Sequence, residues 1–204
     1  MKMRFHYAFA YQVLRFPLRL LWGFRVEGAE KLPREGGVLV ASNHISYADP
    51  VVVGSGVPRE LHYFAKVELF RNRWFGRMIR SYNAVPVRRG GVERETIARV
   101  VAILRGGGAL LFFPEGTRSK DGRVGEARPG IGMIALSAGV PIVPVYVRGT
   151  RGMGRTLFRR GRLALFYGEP VDPEKVEGEN RKDRYLRIGD RVIAEIRRLE
   201  ANYG

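Results

Sequence analysis

The residues that could do chemistry begin with a polar cluster directly after the apolar run 37–41. It contains His44 and, five residues on, Asp49. Histidine titrates nearest neutral pH, and a carboxylate bonded to one ring nitrogen leaves the other nitrogen free to accept a proton. Five residues is not the same-face spacing of a helix, so the two side chains can meet only if the chain bends between them. The cluster therefore indicates a general base and its orienting partner.

The same residues have a structural interpretation. Asp49-Pro50 also matches the start of a helix, with an aspartate N-cap followed by proline in the first turn. His44 would then be a hydrogen-bonded core histidine. A motif is a hypothesis until its structural context is known, and this cluster alone leaves both interpretations open.

Three further polar clusters also follow predicted strands. They are Lys66 to Glu68, Arg88-Arg89, and the segment 114–119, which holds Glu115 and Arg118. Ligands of open α/β sheets bind outside the carboxyl ends of the strands, so the four clusters could share one site. No serine or cysteine is placed as a nucleophile, so a base at this site would act on a hydroxyl of the substrate. The cations would hold a phosphate and fix where that hydroxyl lies.

The elements that must position these residues alternate between strand and helix. An α/β domain is predicted, with a mixed, largely parallel sheet flanked by helices on both faces. No glycine-rich dinucleotide or nucleotide loop and no Gly-x-Ser-x-Gly elbow is present. The predicted strands cover 24–27, 37–42, 60–66, 84–87, 109–113, 141–147 and 162–167. The predicted helices cover 3–22, 49–56, 67–82, 92–105, 129–138 and 181–201.

The composition limits the chemistry and suggests the kind of partner. The formal net charge is +16, from 36 basic and 20 acidic residues. This balance favours an anionic partner such as a phosphorylated ligand, an anionic membrane face or nucleic acid. The absence of cysteine excludes disulfides, thiolate catalysis and cysteine-ligated zinc. The three histidines lie far apart in sequence, so we expect no metal and no bound cofactor.

Residues 1–23 are predicted to be an amphipathic, membrane-associating helix, and residues 24–204 the main domain. A narrow stripe with Arg4, Arg15 and Arg19 runs along a wide aromatic and aliphatic surface, a pattern typical of helices in a membrane interface. The alternative is a helix packed on its own domain. The segment 67–82 also interleaves basic and apolar residues. No apolar run reaches the length of a membrane span.

Two of the polar clusters resemble sequence motifs of the glycerolipid acyltransferases, and most closely those of bacterial lysophosphatidic acid acyltransferases. The family's Asn-His-x-Ser-x-x-Asp motif corresponds to 43–49, and its Phe-Pro-Glu-Gly-Thr-Arg-Ser motif is complete at 113–119. Two weaker motifs resemble 85–88 and 142–145. The order and spacing of the motifs also agree, and the resemblance covers about residues 24 to 170.

The resemblance implies transfer of a fatty acyl group from acyl-CoA or acyl carrier protein to the free hydroxyl of lysophosphatidic acid. His44 would be the general base and Asp49 its orienting partner, with no covalent enzyme intermediate. Arg118 would hold the acceptor phosphate. The remaining expected acceptor-site residues are Lys66, Arg88, Glu115, Gly116 and Thr117. The short N-terminal region implies peripheral or monotopic attachment to the cytoplasmic face of the cell membrane.

Other functions remain open at this point. The acceptor could be a different lysolipid, because the motifs do not separate acceptors well. The charge would also suit a nucleic-acid-binding domain, although no helix-turn-helix, RNP or zinc pattern supports one and no nucleic-acid partner is expected. A non-catalytic membrane-binding module would explain 3–22 and leave the His44–Asp49 pair unexplained.

Overall fold

A computed structural model describes residues 3–88, 94–155 and 161–204 of the chain. Within these residues, seven strands form one sheet in the order β1-β7-β6-β2-β5-β3-β4. The predicted Arg89 lies outside the described residues. The strands are β1 (Arg25–Glu27), β2 (Val38–Ser42), β3 (Leu61–Lys66), β4 (Ala84–Val87), β5 (Ala109–Phe112), β6 (Ile142–Arg148) and β7 (Ala164–Tyr167).

The five strands from β6 to β4 in this order are parallel to one another, whereas β7 pairs with β6 in the antiparallel sense and β1 pairs parallel with β7. The prediction of a mixed, largely parallel sheet is therefore confirmed. Parallel neighbours end at the same edge of a sheet. The segments that follow β6, β2, β5, β3 and β4 consequently leave the sheet along one edge, where the predicted site residues are found.

Helices cover both faces of the sheet, as predicted. They are α1 (Phe5–Trp22), α2 (Asp49–Gly56), α3 (Arg73–Ser81), α4 (Arg94–Arg105), α5 (Gly130–Ala138) and α6 (Arg181–Tyr203). The core on one face includes residues of α4, α5 and α6, and the core on the other face includes residues of α1 and α2. Short 3-10 helices lie at Ala29–Lys31, Val67–Phe70, Met153–Arg155 and Pro173–Lys175.

Strand β2 shows why the central strands are apolar without interruption. Leu39 and Ala41 point into the core under α4, α5 and α6, and Val38 and Val40 point into the core under α1 and α2. All four are fully buried. Successive side chains of a strand alternate between faces, so a strand covered on both faces needs apolar residues at every position.

The prediction of one continuous helix over 67–82 is wrong. The segment is divided into a 3-10 helix at Val67–Phe70 and the α-helix α3. Asn72 separates them, because its Oδ1 accepts hydrogen bonds from the backbone N–H groups of Trp74 and Phe75, both at 3.0 Å. This is the N-cap arrangement that asparagine favours, and it starts a new helix in the middle of a pattern that is otherwise continuous.

Helix α1 packs on its own domain and also exposes an apolar surface. Tyr7, Tyr11 and Leu18 are buried, and Arg4 forms an ion pair with Glu60 at 2.7 Å. None of the helices within the described residues is long and apolar enough to cross a membrane. The large apolar side chains that α1 leaves exposed are Phe5, Phe9, Val13, Leu14, Phe16 and Leu20.

Candidate active site

Asn43 determines how the chain leaves the sheet before His44. The last backbone pair between β2 and β6 joins Ser42 and Val145. Beyond this pair, the Asn43 side chain forms the hydrogen bonds to β6. Its Nδ2 donates to the Val147 carbonyl at 3.0 Å, and its Oδ1 accepts from the Val147 N–H at 2.7 Å. Asn43 is fully buried. The side-chain amide thus pairs with β6 in place of a peptide group, and the backbone is free to turn.

The turn brings His44 and Asp49 together. His44 Nδ1 lies 2.8 Å from Asp49 Oδ2, and the same oxygen accepts hydrogen bonds from the backbone N–H groups of Ile45 and Ser46, both at 2.7 Å. Asp49 is fully buried and is the first residue of α2. Its side chain does not cap that helix, whose N-cap is Ala48. The carboxylate therefore holds the imidazole and the bend together, and the chain bends between the two residues as their spacing required.

The imidazole of His44 is fixed from a second side by Phe113. The two rings are stacked, with centroids 4.0 Å apart and an angle of 16° between their planes. The His44 side chain keeps 18% of its surface exposed. With Nδ1–H donating to Asp49, the lone pair of Nε2 is the one left to accept a proton. The geometry thus suits a general base that faces outward from a rigid support.

Glu115 connects the segment after β5 to the backbone of His44. Its Oε1 accepts the His44 N–H at 3.1 Å, and the carboxylate also accepts the backbone N–H of Gly125. The Ser119 N–H in turn donates to the His44 carbonyl at 2.7 Å. Glu115 is buried, and this burial raises the pKa of its carboxyl, although the two hydrogen bonds oppose the shift. Its expected contact with the acceptor stays a prediction.

Gly116 and Thr117 lie in the tight turn that follows. The Gly116 N–H donates to the Phe113 carbonyl at 3.0 Å. Gly116 has φ of +71°, and a Cβ at this position would come within 2.9 Å of Arg128 Cδ. Both the left-handed backbone and the close neighbour favour glycine here. Thr117 is exposed at the surface of the turn.

Arg118 points its guanidinium at Tyr47 of the preceding motif. The central carbon of the guanidinium lies 3.5 Å from the centroid of the tyrosine ring. Arg118 is exposed, and Tyr47 keeps 77% of its surface exposed. Within the described part of the chain, Arg118 forms no hydrogen bond or ion pair with a protein group. Its N–H groups therefore remain available to an anionic ligand.

Lys66 and Arg88 end the next two strands of the same sheet edge. Lys66 is the last residue of β3, and Arg88 directly follows β4; both are exposed. Neighbouring strands lie about 4.8 Å apart, so β3 is roughly 10 Å and β4 roughly 14 Å from β2. Arg88 lines an open cavity of about 420 Å³ together with Val87, Glu95 and Arg99. The two cations thus flank the His44 region at increasing distance.

Sequence reasoning missed four residues of this site: Asn43 as the link to β6, Phe113 as the stacking partner, Tyr47 and Arg128. Phe113 and Asn43 belong to the motifs and could have been singled out. Tyr47 and Arg128 carry no signal in the sequence, because their positions depend on how two loops meet. Among the residues that the structure describes, no group of three or more histidine, aspartate or glutamate side chains could hold a metal ion.

The mixed, largely parallel sheet carries a His–Asp pair and several cations at one edge, and comparison with known families gives the class of this protein. The model of the acyltransferase family matches residues 23–148. The chain belongs to this acyltransferase family, and it is an acyltransferase.

Two relatives and one solved structure illustrate the likeness. The chain is 30% identical to the 1-acyl-sn-glycerol-3-phosphate acyltransferase of Bacillus subtilis, over 95% of this chain and 96% of the relative. It is 29% identical to the enzyme of the same name from Streptococcus pneumoniae, over 89% of this chain and 69% of the relative. The crystal structure of the 1-acyl-sn-glycerophosphate acyltransferase PlsC from Thermotoga maritima superimposes with a TM-score of 0.74 and 28% identity, covering 97% of this chain and 79% of that one.

Proposed function

We propose that the protein transfers a fatty acyl group from an acyl thioester to the free hydroxyl of lysophosphatidic acid, giving phosphatidic acid for phospholipid biosynthesis. The observation that carries the proposal is the hydrogen bond of 2.8 Å between His44 Nδ1 and Asp49 Oδ2. The residue after Arg118 is bonded to the His44 carbonyl, and the guanidinium of Arg118 has no hydrogen-bonding partner among the described residues. The names of the two relatives above specify 1-acyl-sn-glycerol-3-phosphate, which is lysophosphatidic acid, as the acceptor. This supports the choice of substrate.

The reaction would proceed in one displacement at the thioester. His44 Nε2 takes the proton of the acceptor hydroxyl as its oxygen attacks the thioester carbonyl. The tetrahedral intermediate then collapses, the carbon–sulfur bond breaks, and the imidazolium returns the proton to the leaving thiolate. Asp49 stabilises the imidazolium between these steps and keeps the tautomer correct. The acceptor hydroxyl occupies the place that serine has in a Ser-His-Asp triad, so no covalent enzyme intermediate forms.

The acceptor would be held by its phosphate. Arginine presents a planar fork of N–H groups that suits phosphate oxygens, and within the described ranges no protein group occupies this fork of Arg118. Lys66 and Arg88 add positive charge along the same edge, while Gly116 and Thr117 would shape the binding site for the acceptor. Binding energy from the phosphate would then orient the hydroxyl for the base, since correct placement accounts for a large part of such a rate enhancement.

The donor would be either acyl-CoA or acyl carrier protein, acting as a co-substrate. Both carry the acyl group as a thioester, so the step at His44 is the same for either one. The positive charge of the chain, +16, suits a donor that carries phosphate groups, such as acyl-CoA. No bound cofactor is needed for the reaction.

Attachment to the cytoplasmic face of the cell membrane would bring the site to its lipid substrate. Helix α1 exposes Phe5 and Phe16 at 87% and 69%. Helix α3 adds Trp74, which is 83% exposed and lies between Arg73 and Arg77. Aromatic side chains flanked by arginine suit the interface of an anionic bilayer. We therefore propose peripheral or monotopic binding through α1, with α3 beside it.

The decisive experiment is direct assay of the purified full chain in detergent micelles. Lysophosphatidic acid is mixed with long-chain acyl-CoA or acyl carrier protein, and both thiol release and the lipid product are measured. His44→Ala should abolish transfer. His62→Gln is the matched control, because His62 lies at the amino end of β3, away from the site. Thiol release by His44→Ala protein with an unchanged unfolding temperature would refute the mechanism, and preference for a phosphate-free acceptor would refute the role of Arg118.

A separate measurement tests the membrane attachment. Replacement of Phe5, Phe9 and Phe16 by serine should reduce co-sedimentation with vesicles that contain anionic lipid, while transfer in micelles remains. The control is Tyr203→Ser on α6, which removes an exposed aromatic from the other face of the sheet. Equal loss of vesicle binding in both variants would contradict the role of α1.

A further inference from the structure

The contact between Tyr47 and Arg118 joins two loops that are far apart in sequence and adjacent in space. Tyr47 lies in the bend after β2, and Arg118 lies in the turn after β5, the strand that pairs with β2. The guanidinium carbon sits 3.5 Å from the centroid of the tyrosine ring. This is well inside the range of about 6 Å for a cation–π contact. The guanidinium is therefore held against the face of the ring.

Both loops are fixed where they carry these side chains. On one side of Tyr47, the Ser46 N–H donates to Asp49 Oδ2; on the other, the Ala48 N–H donates to Ser46 Oγ at 3.2 Å. Directly after Arg118, the Ser119 N–H donates to the His44 carbonyl at 2.7 Å. The ring and the guanidinium are thus positioned relative to the same short segment, which also carries the general base.

The stacked arrangement leaves the functional edge of Arg118 open. A ring on the face of a guanidinium does not compete for its N–H groups, which all lie in the guanidinium plane. Those groups have no partner among the described protein residues. Without the ring, an exposed arginine side chain would sample many rotamers, and a ligand would have to bear the cost of ordering it.

We propose that Tyr47 is a positioning residue for the acceptor: its ring orients Arg118 so that the guanidinium edge meets the phosphate of the lysolipid. The proposal rests on the proposed function, since it assumes that Arg118 binds the phosphate. It assigns to Tyr47 a part in the affinity for the phosphorylated acceptor and no direct part in proton transfer.

The test is a set of variants assayed with two acceptors in micelles. Tyr47→Leu removes the aromatic face but keeps an apolar side chain, so it separates stacking from general contact with lipid. We expect KM for lysophosphatidic acid to rise about three- to tenfold, with kcat changed by less than about twofold. Tyr47→Phe keeps the ring and should restore the lower KM. Monoacylglycerol, which lacks the phosphate, should be used equally by all three proteins.

A double-mutant cycle with Arg118→Gln separates the role proposed for Tyr47 from the phosphate-binding role proposed for Arg118. If Tyr47 acts through Arg118, Tyr47→Leu should have no further effect in the Arg118→Gln protein. The proposal is overturned if Tyr47→Phe is as impaired as Tyr47→Leu, or if the effect of Tyr47→Leu persists in full without Arg118, as direct lipid contact would predict. An Arg118→Gln protein with unchanged KM for lysophosphatidic acid would instead overturn the phosphate role in the proposed function.

Discussion

The carboxylate of Glu115 accepts a hydrogen bond from the backbone N–H of His44, with 3.1 Å between Oε1 and the nitrogen. It also accepts from the Gly125 backbone and is buried. Two loops are thereby fastened to the residue that would act as base. A buried carboxylate with backbone partners has less capacity to bind a substrate than an exposed one. These contacts therefore support a structural contribution from Glu115, whether or not it also touches the acceptor.

Removal of Glu115 should affect stability and kcat together. Glu115→Ala leaves the N–H groups of His44 and Gly125 without acceptors, so the free energy of unfolding should fall by about 1–3 kcal/mol. Glu115→Gln keeps a side-chain oxygen for the His44 N–H and should retain more of both properties. Thermal unfolding measures the change in stability, and steady-state kinetics measure the change in kcat. If Glu115→Gln instead raises KM for the acceptor with stability intact, the side chain contacts the acceptor as the motif implies.

Asp49→Asn should lower kcat by about 10²- to 10⁴-fold, because the amide cannot stabilise the imidazolium and permits the wrong tautomer of His44. An amide oxygen can still accept from Ile45 and Ser46, so the fold should survive the change. Pre-steady-state or steady-state rates at saturating acceptor provide the measurement. Asp190→Asn, which alters an exposed carboxylate on α6, serves as the control. A rate close to that of the unmodified protein would exclude a catalytic pair.

Phe113→Leu should reduce kcat about two- to tenfold, because the imidazole of His44 loses its stacking partner and samples more orientations. The matched control is the adjacent Phe112→Leu. Phe112 points to the opposite face of the sheet and packs edge-on against Phe64, with centroids 5.9 Å apart. If both variants lose the same activity and the same stability, the effect belongs to core packing and the stack has no separate role.

Glu60 should make the docking of α1 depend on pH. Burial alone would raise the pKa of Glu60, but the hydrogen bonds from Arg4 and Asn83 outweigh it and hold the pKa below its ordinary value of 4.5. A lowered pKa in the folded state contributes stability above pH 4.5 that is lost as the pH falls through the folded-state pKa.

Glu60→Gln should therefore lower the free energy of unfolding at neutral pH by about 0.5–1 kcal/mol, since Arg4 is partly exposed. The difference from the unmodified protein should shrink below pH 4.5. Urea unfolding at several pH values measures it, with the exposed Glu177→Gln as control. A difference that is the same at every pH would mean that the carboxylate charge does not hold α1.

Much of the sheet could be predicted because burial on both faces leaves a direct trace in the sequence. Strand β2 needs an apolar residue at every position. Such a run can be recognised in the sequence without knowing which other elements pack against it. The division at Asn72 could not be predicted in the same way. The residues on both sides continue one amphipathic pattern, and a single side-chain cap decides where the helix starts.

The candidate site was predictable in its local part only. His44 and Asp49 are close in sequence, so the requirement for a bend could be stated from their spacing. The contacts of Glu115 with His44 and of Arg118 with Tyr47 depend on the pairing of β2 with β5, which brings two distant loops together. No periodicity or composition encodes which atoms then meet.

The amide of Asn43 has a consequence for how the imidazole of His44 is aligned with the rest of the molecule. Its two hydrogen bonds to Val147 fix the register of β2 relative to β6, since a shift of either strand would break both at once. Aspartate at this position has the same shape but no N–H to donate, so the hydrogen bond to the Val147 carbonyl would be lost. Asn43 can thus determine the position of the His44 imidazole without contacting the lipid.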